Sequence, residues 1–251
     1  MPVSVVIITK NEEERIEACL KSVAGWADEI VVVDDESTDR TREIVQKYTD
    51  RILTRRMDIE GRHRNWAYAQ AKNAWVLSLD ADERLLDELK EEIDRVLPSA
   101  EYPAYTIPRR NYIGDYWVKW GGQYPSAQVR LFQKSKFRYE EEEVHPRVRI
   151  EGNTCGHLTK DMLHYSYKDF GHFLSKLNGQ TTLEAKKMLR AKKPMTFGRA
   201  FWRTGDRFWR TYFRKKGHKD GFIGFMVAYF ASLYQIISYA KFWEMKRNQE
   251  K

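Results

Sequence analysis

Glu29-Ile30-Val31-Val32-Val33-Asp34-Asp35 decides the fold of this chain. Its unbroken apolar, mostly β-branched run shows no polar alternation, so it reads as a strand buried on both faces, the habit of parallel sheets covered by helices. Working outward, Val3-Ser4-Val5-Val6-Ile7-Ile8-Thr9 is a similar run upstream, and Trp75-Val76-Leu77-Ser78-Leu79-Asp80 is another downstream. Helical patterns separate them: Ile16, Cys19, Leu20 and Val23 share one face, a second helix runs through Ile44 and Val45, and a third spans about Arg62 to Ala71. Arg51 to Thr54 supplies a short further strand. Asn11 is expected as the first N-cap with Glu12 to Glu14 in the opening turn, and Ser37 or Thr38 as the second. Repeated β–α units of this length predict an α/β fold, a Rossmann-like domain with a mostly parallel sheet. From Tyr102 to Ile150 the texture changes to short strands, prolines and Gly121-Gly122, which predicts a mixed-sheet extension. Tyr167 to Leu189 is expected to be helical, with Phe170, Phe173, Leu174 and Leu177 on one face.

Composition sets limits on this reading. With 251 residues, 42% hydrophobic and 32% charged, the chain can bury a core and is not of disordered type. The net charge of +8 is local: Lys187 to Lys216 holds eleven lysines and arginines against Asp206 alone. Cys19 and Cys155 lack metal-type spacing and are too few for a disulfide scaffold, so both are expected reduced. Val3 to Thr9 leads directly into Lys10-Asn11-Glu12-Glu13-Glu14, unlike a secretory signal, and a cytoplasmic location is expected.

In open α/β sheets ligands bind at the carboxyl ends of the strands. Two predicted strands end there in paired acids, Asp34-Asp35 and Asp80-Ala81-Asp82. Carboxylates spaced by one residue in a turn can converge on a hard divalent cation, which also binds diphosphate oxygens and neutralises charge on a leaving nucleotide. The plainer alternative is that these acids cap the helices that follow. His164 has a similar pair of readings, metal ligand or core histidine.

Val5-Val6-Ile7-Ile8-Thr9-Lys10-Asn11-Glu12, Val33-Asp34-Asp35-Glu36-Ser37-Thr38-Asp39-Arg40-Thr41, Arg64-Asn65 and Leu77-Ser78-Leu79-Asp80-Ala81-Asp82-Glu83 resemble the inverting family-2 glycosyltransferases of the GT-A fold. Tyr124-Pro125, Val129-Arg130-Leu131-Phe132, Val144-His145 and Leu163-His164-Tyr165-Ser166-Tyr167 look like the branch that builds the lipopolysaccharide inner core. The resemblance implies a nucleotide-sugar donor, a UDP-sugar, bound by Thr9, Asn11, Asp35, Arg64, Asp80 and Arg130, with Asp35 accepting a hydrogen bond from the base. It implies Mg²⁺ or Mn²⁺ held by Asp80, Asp82 and His164, Asp82 being the more direct ligand, and a lipid-linked saccharide as acceptor. Residues 1–166 would form the nucleotide-sugar-binding and catalytic domain, and residues 167–251 a helical region for membrane-surface association.

The chain departs from its resemblance around the general base that an inverting transfer needs. Relatives of this branch read Val-His-Glu where this chain has Val144-His145-Pro146, and often carry an acid where Ser126 follows Tyr124-Pro125. Glu143 and His145 are the candidates, with Glu142 and Asp115 nearby in sequence; Glu140 to Glu143 also reads as a solvated acidic turn.

Arg199, Arg203, Arg207, Arg210 and Arg214 recur at helical spacing, which predicts one arginine face with Phe201, Trp202, Phe208, Trp209, Tyr212 and Phe213 opposite. That is the pattern of an interfacial helix on an anionic membrane, here the inner face of the inner membrane. Phe222 to Trp243 is long enough to span, but the polar stripe Ser232, Gln235, Ser238 and Lys241 suits an in-plane or protein-docked helix. Three rival functions stand beside this one. A sugar nucleotidyltransferase needs a glycine-rich first loop, absent from Thr9-Lys10-Asn11-Glu12. A polyprenyl-phosphate sugar transferase shares the N-terminal motifs. A nucleic-acid-binding protein leaves the acidic strand ends without a purpose, so no nucleic-acid partner is expected.

Overall fold

The computed structural model describes residues 1–141, 147–190 and 195–249, which form two compact units, Met1–Arg109 with Ala127–His164, and Arg110–Ser126 with Tyr165–Lys251. Along the chain run β1 (Val3–Thr9), α1 (Ile16–Val23), β2 (Glu29–Asp34), α2 (Thr41–Val45), β3 (Ile52–Thr54), α3 (Glu60–Ala69) and β4 (Trp75–Asp80). Then come β5 (Glu83–Leu85), α4 (Asp87–Val96), β6 (Ala104–Ile107), β7 (Arg109–Ile113), β8 (Tyr116–Trp117), β9 (Gln128–Gln133) and β10 (Phe137–Tyr139). The remainder is β11 (Val148–Ile150), β12 (Gly156–His157), β13 (Met162–Tyr167), α5 (Phe170–Arg190), α6 (Phe197–Trp209) and α7 (Gly221–Gln249).

The first unit is built on a seven-stranded sheet in the order β12-β6-β9-β4-β1-β2-β3. β4, β1, β2 and β3 are parallel, β9 runs antiparallel to β4, and β6 antiparallel to β9. This is the mixed α/β architecture with a parallel-dominated centre that the buried runs predict. α1 and α4 cover the face carrying Val5, Ile7, Leu77 and Leu79, and α3 covers the face carrying Val6, Val31, Val33 and Val76. Full burial on both faces is why β1, β2 and β4 read as continuous apolar stretches. Register does the positioning. Thr9 pairs with Asp34 and Ile8 with Asp80, so the carboxyl ends of three strands finish at one edge of the sheet.

Local chemistry at that edge differs from the expected caps. α1 begins only at Ile16, after Arg15, and Asn11 stands in the left-handed region at φ 52°. Its side-chain oxygen accepts the Thr38 N–H at 2.8 Å while its own N–H donates to Ser37 Oγ at 2.9 Å, so Asn11 laces the β1 and β2 loops together. Asn can take this conformation because its short polar side chain bonds locally. Asp39, not Ser37 or Thr38, accepts the N–H of Thr41 where α2 starts.

In the second unit β7 and β8 form a hairpin in which Tyr112 pairs with Trp117, turned by Gly114 at φ 59°. Arg110–Ser126, placed by the sequence reading in the first domain, groups here with the C-terminal helices. Tyr165 to Tyr167 end β13, and α5 starts at Phe170. α6 passes into a π-helical turn at Arg210–Arg214, and α7 packs along both α5 and α6. A Cβ at Gly224 would collide with the Gly217 carbonyl, which lets the α7 backbone approach closely there. Asp220 is buried and accepts the Trp120 N–H at 2.7 Å and the Tyr116 hydroxyl at 3.2 Å.

Candidate active site

β4 delivers Asp80 at the sheet edge, Ala81 and Asp82 form a turn, and β5 begins at Glu83. The Asp80 N–H donates to Glu83 Oε2 at 3.0 Å, closing the turn on a carboxylate with no solvent exposure. β13 then pairs antiparallel with β5, with His164 opposite Glu83. This register brings His164 Nε2 to 3.6 Å from Asp82 Oδ1, although the two residues are far apart in sequence. Arg15 Nη1 lies 3.7 Å from the other Asp82 oxygen.

Asp80 has a different environment. Arg130 Nη2 donates to Asp80 Oδ2 at 2.5 Å and to Glu83 Oε1 at 2.6 Å. Arg64 places both terminal nitrogens 3.2 Å from Asp80 Oδ1, and its Nε donates to Glu60 at 3.0 Å. Arg109 completes the cluster with a 3.2 Å bond to Glu83 Oε1. Burial pushes the Asp80 carboxyl up, but the Arg130 and Arg64 charges outweigh it and hold Asp80 well below the usual carboxylate range. Burial alone would likewise lower the Arg130 guanidinium; the Asp80 and Glu83 carboxylates raise it instead. Both partners therefore stay charged as a charge-assisted network. Cys19, whose thiol faces the Asp80 carbonyl oxygen at 3.7 Å, is pushed well up by burial and by Glu83, Asp82 and Asp80, so it is a protonated packing residue.

At the end of β2, Asp35 is buried, accepts the Met57 N–H at 2.8 Å and pairs with Lys10 Nζ at 3.0 Å. Thr9 Oγ1 is buried and finds no hydrogen-bond partner among the described residues. The same holds for both ring nitrogens of His63, on α3 beside Arg64. Burial pushes the His63 imidazole down, against the pull of the Asp35 carboxylate, which keeps it neutral.

The structure thus brings Asp80, Asp82, Arg64, Arg130 and His164 into one cluster and sets Thr9 and Asp35 at neighbouring strand ends. Asn11 is spent on the loop contact described above. Arg64, expected on the base or diphosphate, pairs with Asp80. Glu143 and His145 lie outside the described residues. Glu83, Arg109, Arg15 and His63 were not expected. Only the Glu83 carboxylate next to Asp80-Ala81-Asp82 carried a hint, because an acid starting a strand after an acidic turn has to meet a cation once buried. Among the described residues no three His, Cys, Asp or Glu side chains gather as a ready-made metal cage.

A parallel-centred α/β sheet with an antiparallel edge, whose strand ends gather carboxylates, arginines and a histidine, is a fold of the GT-A type. The chain belongs to Glycosyl transferase family 2, whose sequence model matches residues 4–155. It is 30% identical over 251 residues to the lipopolysaccharide core biosynthesis glycosyltransferase LpsC of Rhizobium meliloti (strain 1021), covering 97% of this chain and 93% of the relative. An uncharacterized glycosyltransferase of Rickettsia bellii (strain RML369-C) is 28% identical over 268 residues, covering 99% and 86%. Among solved structures, S. aureus TarS 1-349 in complex with UDP superposes with a TM-score of 0.50 at 18% identity, covering 100% of this chain and 92% of that one. That likeness speaks for the fold.

Proposed function

We propose that this protein is an inverting glycosyltransferase that moves a sugar from a UDP-sugar to a lipid-linked saccharide of the lipopolysaccharide core, at the cytoplasmic face of the inner membrane. One observation carries the proposal: the Asp80-Ala81-Asp82 turn gives its two carboxylates different partners. Asp80 is saturated by Arg64 and Arg130, whereas Asp82 has a histidine nitrogen at 3.6 Å from one oxygen and Arg15 at 3.7 Å from the other. A carboxylate oxygen and an imidazole nitrogen at that separation are a fitting donor pair for Mg²⁺ or Mn²⁺, whose remaining positions waters and diphosphate oxygens fill. When bound, the cation would neutralise charge on the departing nucleoside diphosphate. Arg64 and Arg130 orient Asp80 and keep positive charge beside the diphosphate position.

Thr9 and Asp35 receive the nucleotide. The unpartnered Thr9 hydroxyl supports this, as does Asp35, which as a carboxylate can accept a base N–H. In the reaction the acceptor oxygen attacks the anomeric carbon, the bond from that carbon to the diphosphate breaks, and the diphosphate leaves with the electron pair. The acceptor proton passes to a base, for which Glu143 and His145 remain the candidates and Asp115 the next. Membrane location follows from the lipid-linked acceptor and from the basic C-terminal region. The relationship to LpsC, extending over most of both chains, supports the acceptor class. The test is to incubate the full chain with a panel of nucleotide sugars and with lipopolysaccharide-core or polyprenyl-phosphate acceptors. Turnover of a UDP-sugar on core acceptors is expected; turnover on polyprenyl phosphate alone would overturn the acceptor assignment.

A further inference from the structure

The helices of the second unit bury several polar residues among their apolar ones and leave a row of large aromatics outside. On α7 the buried face includes Ser232, Gln235 and Ser238, the last with no exposure at all, while Phe222 is 69% exposed. Thr181 of α5 is fully buried too, and Lys241 of α7 donates to the Asn178 carbonyl at 2.6 Å and to Thr181 Oγ1 at 2.9 Å. On α6 the expected arginine face is not the outer one. Arg203 and Arg207 are half-buried and small residues such as Ala200 pack inward. Facing out are Phe197 and Phe201, four apart, then Trp209 eight further on and Phe213 four beyond that, with Trp202 alongside at 66% exposure. Phe225 and Tyr229 of α7 are exposed and stacked on each other, and Phe208 packs edge-on against Phe225. A water-soluble helical bundle does not leave such a contiguous aromatic row outside. Large apolar residues facing out, with small and hydroxyl residues admitted among the buried ones, is how helices pack in lipid.

We propose that the outward aromatic face of α6 and of the first turns of α7 is inserted into the acyl region of an anionic lipid leaflet, with α7 lying in the membrane plane and not crossing it. Charge placement selects this occupant. Arg199, Arg210, Arg214, Lys215 and Lys216 are exposed at the margins of the aromatic face, within reach of acidic headgroups. A second copy of the chain, docking through the same face, would bring these cations against their own counterparts. In-plane orientation follows from the ends and the middle of α7. Cations stand before it at Lys215, Lys216 and Lys219 and inside its last turns at Lys246 and Arg247, so both ends seek headgroups. Lys241 of its polar stripe is already bound to Asn178 and Thr181 of α5, so a crossing would have to take that charge and its partners through the hydrocarbon.

The inference rests on the membrane part of the proposed function and specifies it: contact is by insertion and survives salt, where purely ionic attachment would not. Full-length protein is mixed with vesicles of zwitterionic lipid alone or with anionic lipid, some carrying bromine on the acyl chains to quench tryptophan by depth. Expected are binding to anionic vesicles, substantial retention at about 1 M salt, where screening reaches within about 3 Å, and tryptophan quenching by acyl bromine. F201S/W202S/W209S should lower vesicle partitioning at least about tenfold with unchanged circular dichroism and unchanged UDP binding. W202F/W209F should bind vesicles but lose most of the quenching. Complete release at high salt without quenching, quenching that persists in W202F/W209F, or a triple variant whose only change is from dimer to monomer would each overturn insertion. Insertion without transfer to any lipid-linked acceptor would leave this inference standing and refute the acceptor assignment instead.

Discussion

Replacing Arg130 by methionine removes the cation shared by two carboxylates while keeping most of the side-chain volume. Among the described residues Glu83, fully buried, would keep Arg109 at 3.2 Å as its one paired cation, and Asp80 would keep Arg64 at 3.2 Å. Breaking a buried pair from one side costs about 3–5 kcal/mol, because a charge is left under-compensated. Glu83 retains one guanidinium and the Asp80 N–H, which points to the lower end, about 3 kcal/mol or roughly a hundredfold in the unfolding equilibrium. Urea unfolding of R130M at pH 7, extrapolated linearly to water, reads this directly. The double variant E83Q/R130M should recover part of the loss, since residues in one ion-pair network couple by about 0.5–3 kcal/mol. The pH dependence has a defined sign. Asp80 has a depressed folded-state pKa, so its contribution is present above about pH 4, the unfolded carboxyl pKa, and is lost as pH falls toward the folded value. The R130M deficit should therefore be largest near neutrality and narrow under acid. A deficit below about 1 kcal/mol at pH 7, or no coupling in the double variant, would refute the view that Arg130 organises the turn.

Three further outcomes test the catalytic assignment. D82N should keep its fold and lose transfer, and the wild-type enzyme should lose activity in chelator and regain it with Mn²⁺ or Mg²⁺; full activity of D82N in chelator would end the metal-dependent reading. D35A should weaken UDP binding by about 1–3 kcal/mol by calorimetry, and an unchanged affinity would leave Asp35 with its anchoring bonds to Met57 and Lys10 as its whole role. E143Q or H145A should depress kcat far more than donor affinity, because a base acts in the transition state; near-normal kcat in both would move attention to Asp115.

The parts of this fold legible in the sequence are those set by short-range burial. β1, β2 and β4 have the bounds their apolar runs suggest, because a strand covered on both faces admits a polar residue only where a partner satisfies it, as Glu29 does for Ser4 and Tyr68 for Ser78. Caps were less legible, since Asn11 and Ser37 have the composition of N-caps but are used by a neighbouring loop instead. Metal and nucleotide candidates were readable as residue types at strand ends. What the sequence could not show was who partners whom. Glu83 meets His164 through antiparallel register between β5 and β13, and Arg130 reaches Asp80 because β9 runs beside β4. Both depend on pairings across long stretches of chain.

The arginine row shows a limit of a different kind. A spacing of three and four establishes that residues share a helix face, but not whether that face looks outward. The interfacial pattern set all five arginines toward headgroups, yet Arg203 and Arg207 are half-buried, and the π-helical turn at Arg210–Arg214 breaks the α-helical row. The reason lies in what α7 offers. Arg203 and Arg207 act electrostatically on Tyr234 of α7, which sets them on that side, and long basic side chains can rest their stems along a helix. Phe197, Phe201, Trp202 and Trp209 of α6 are left outside, and the proposed insertion into a lipid leaflet would make that arrangement favourable.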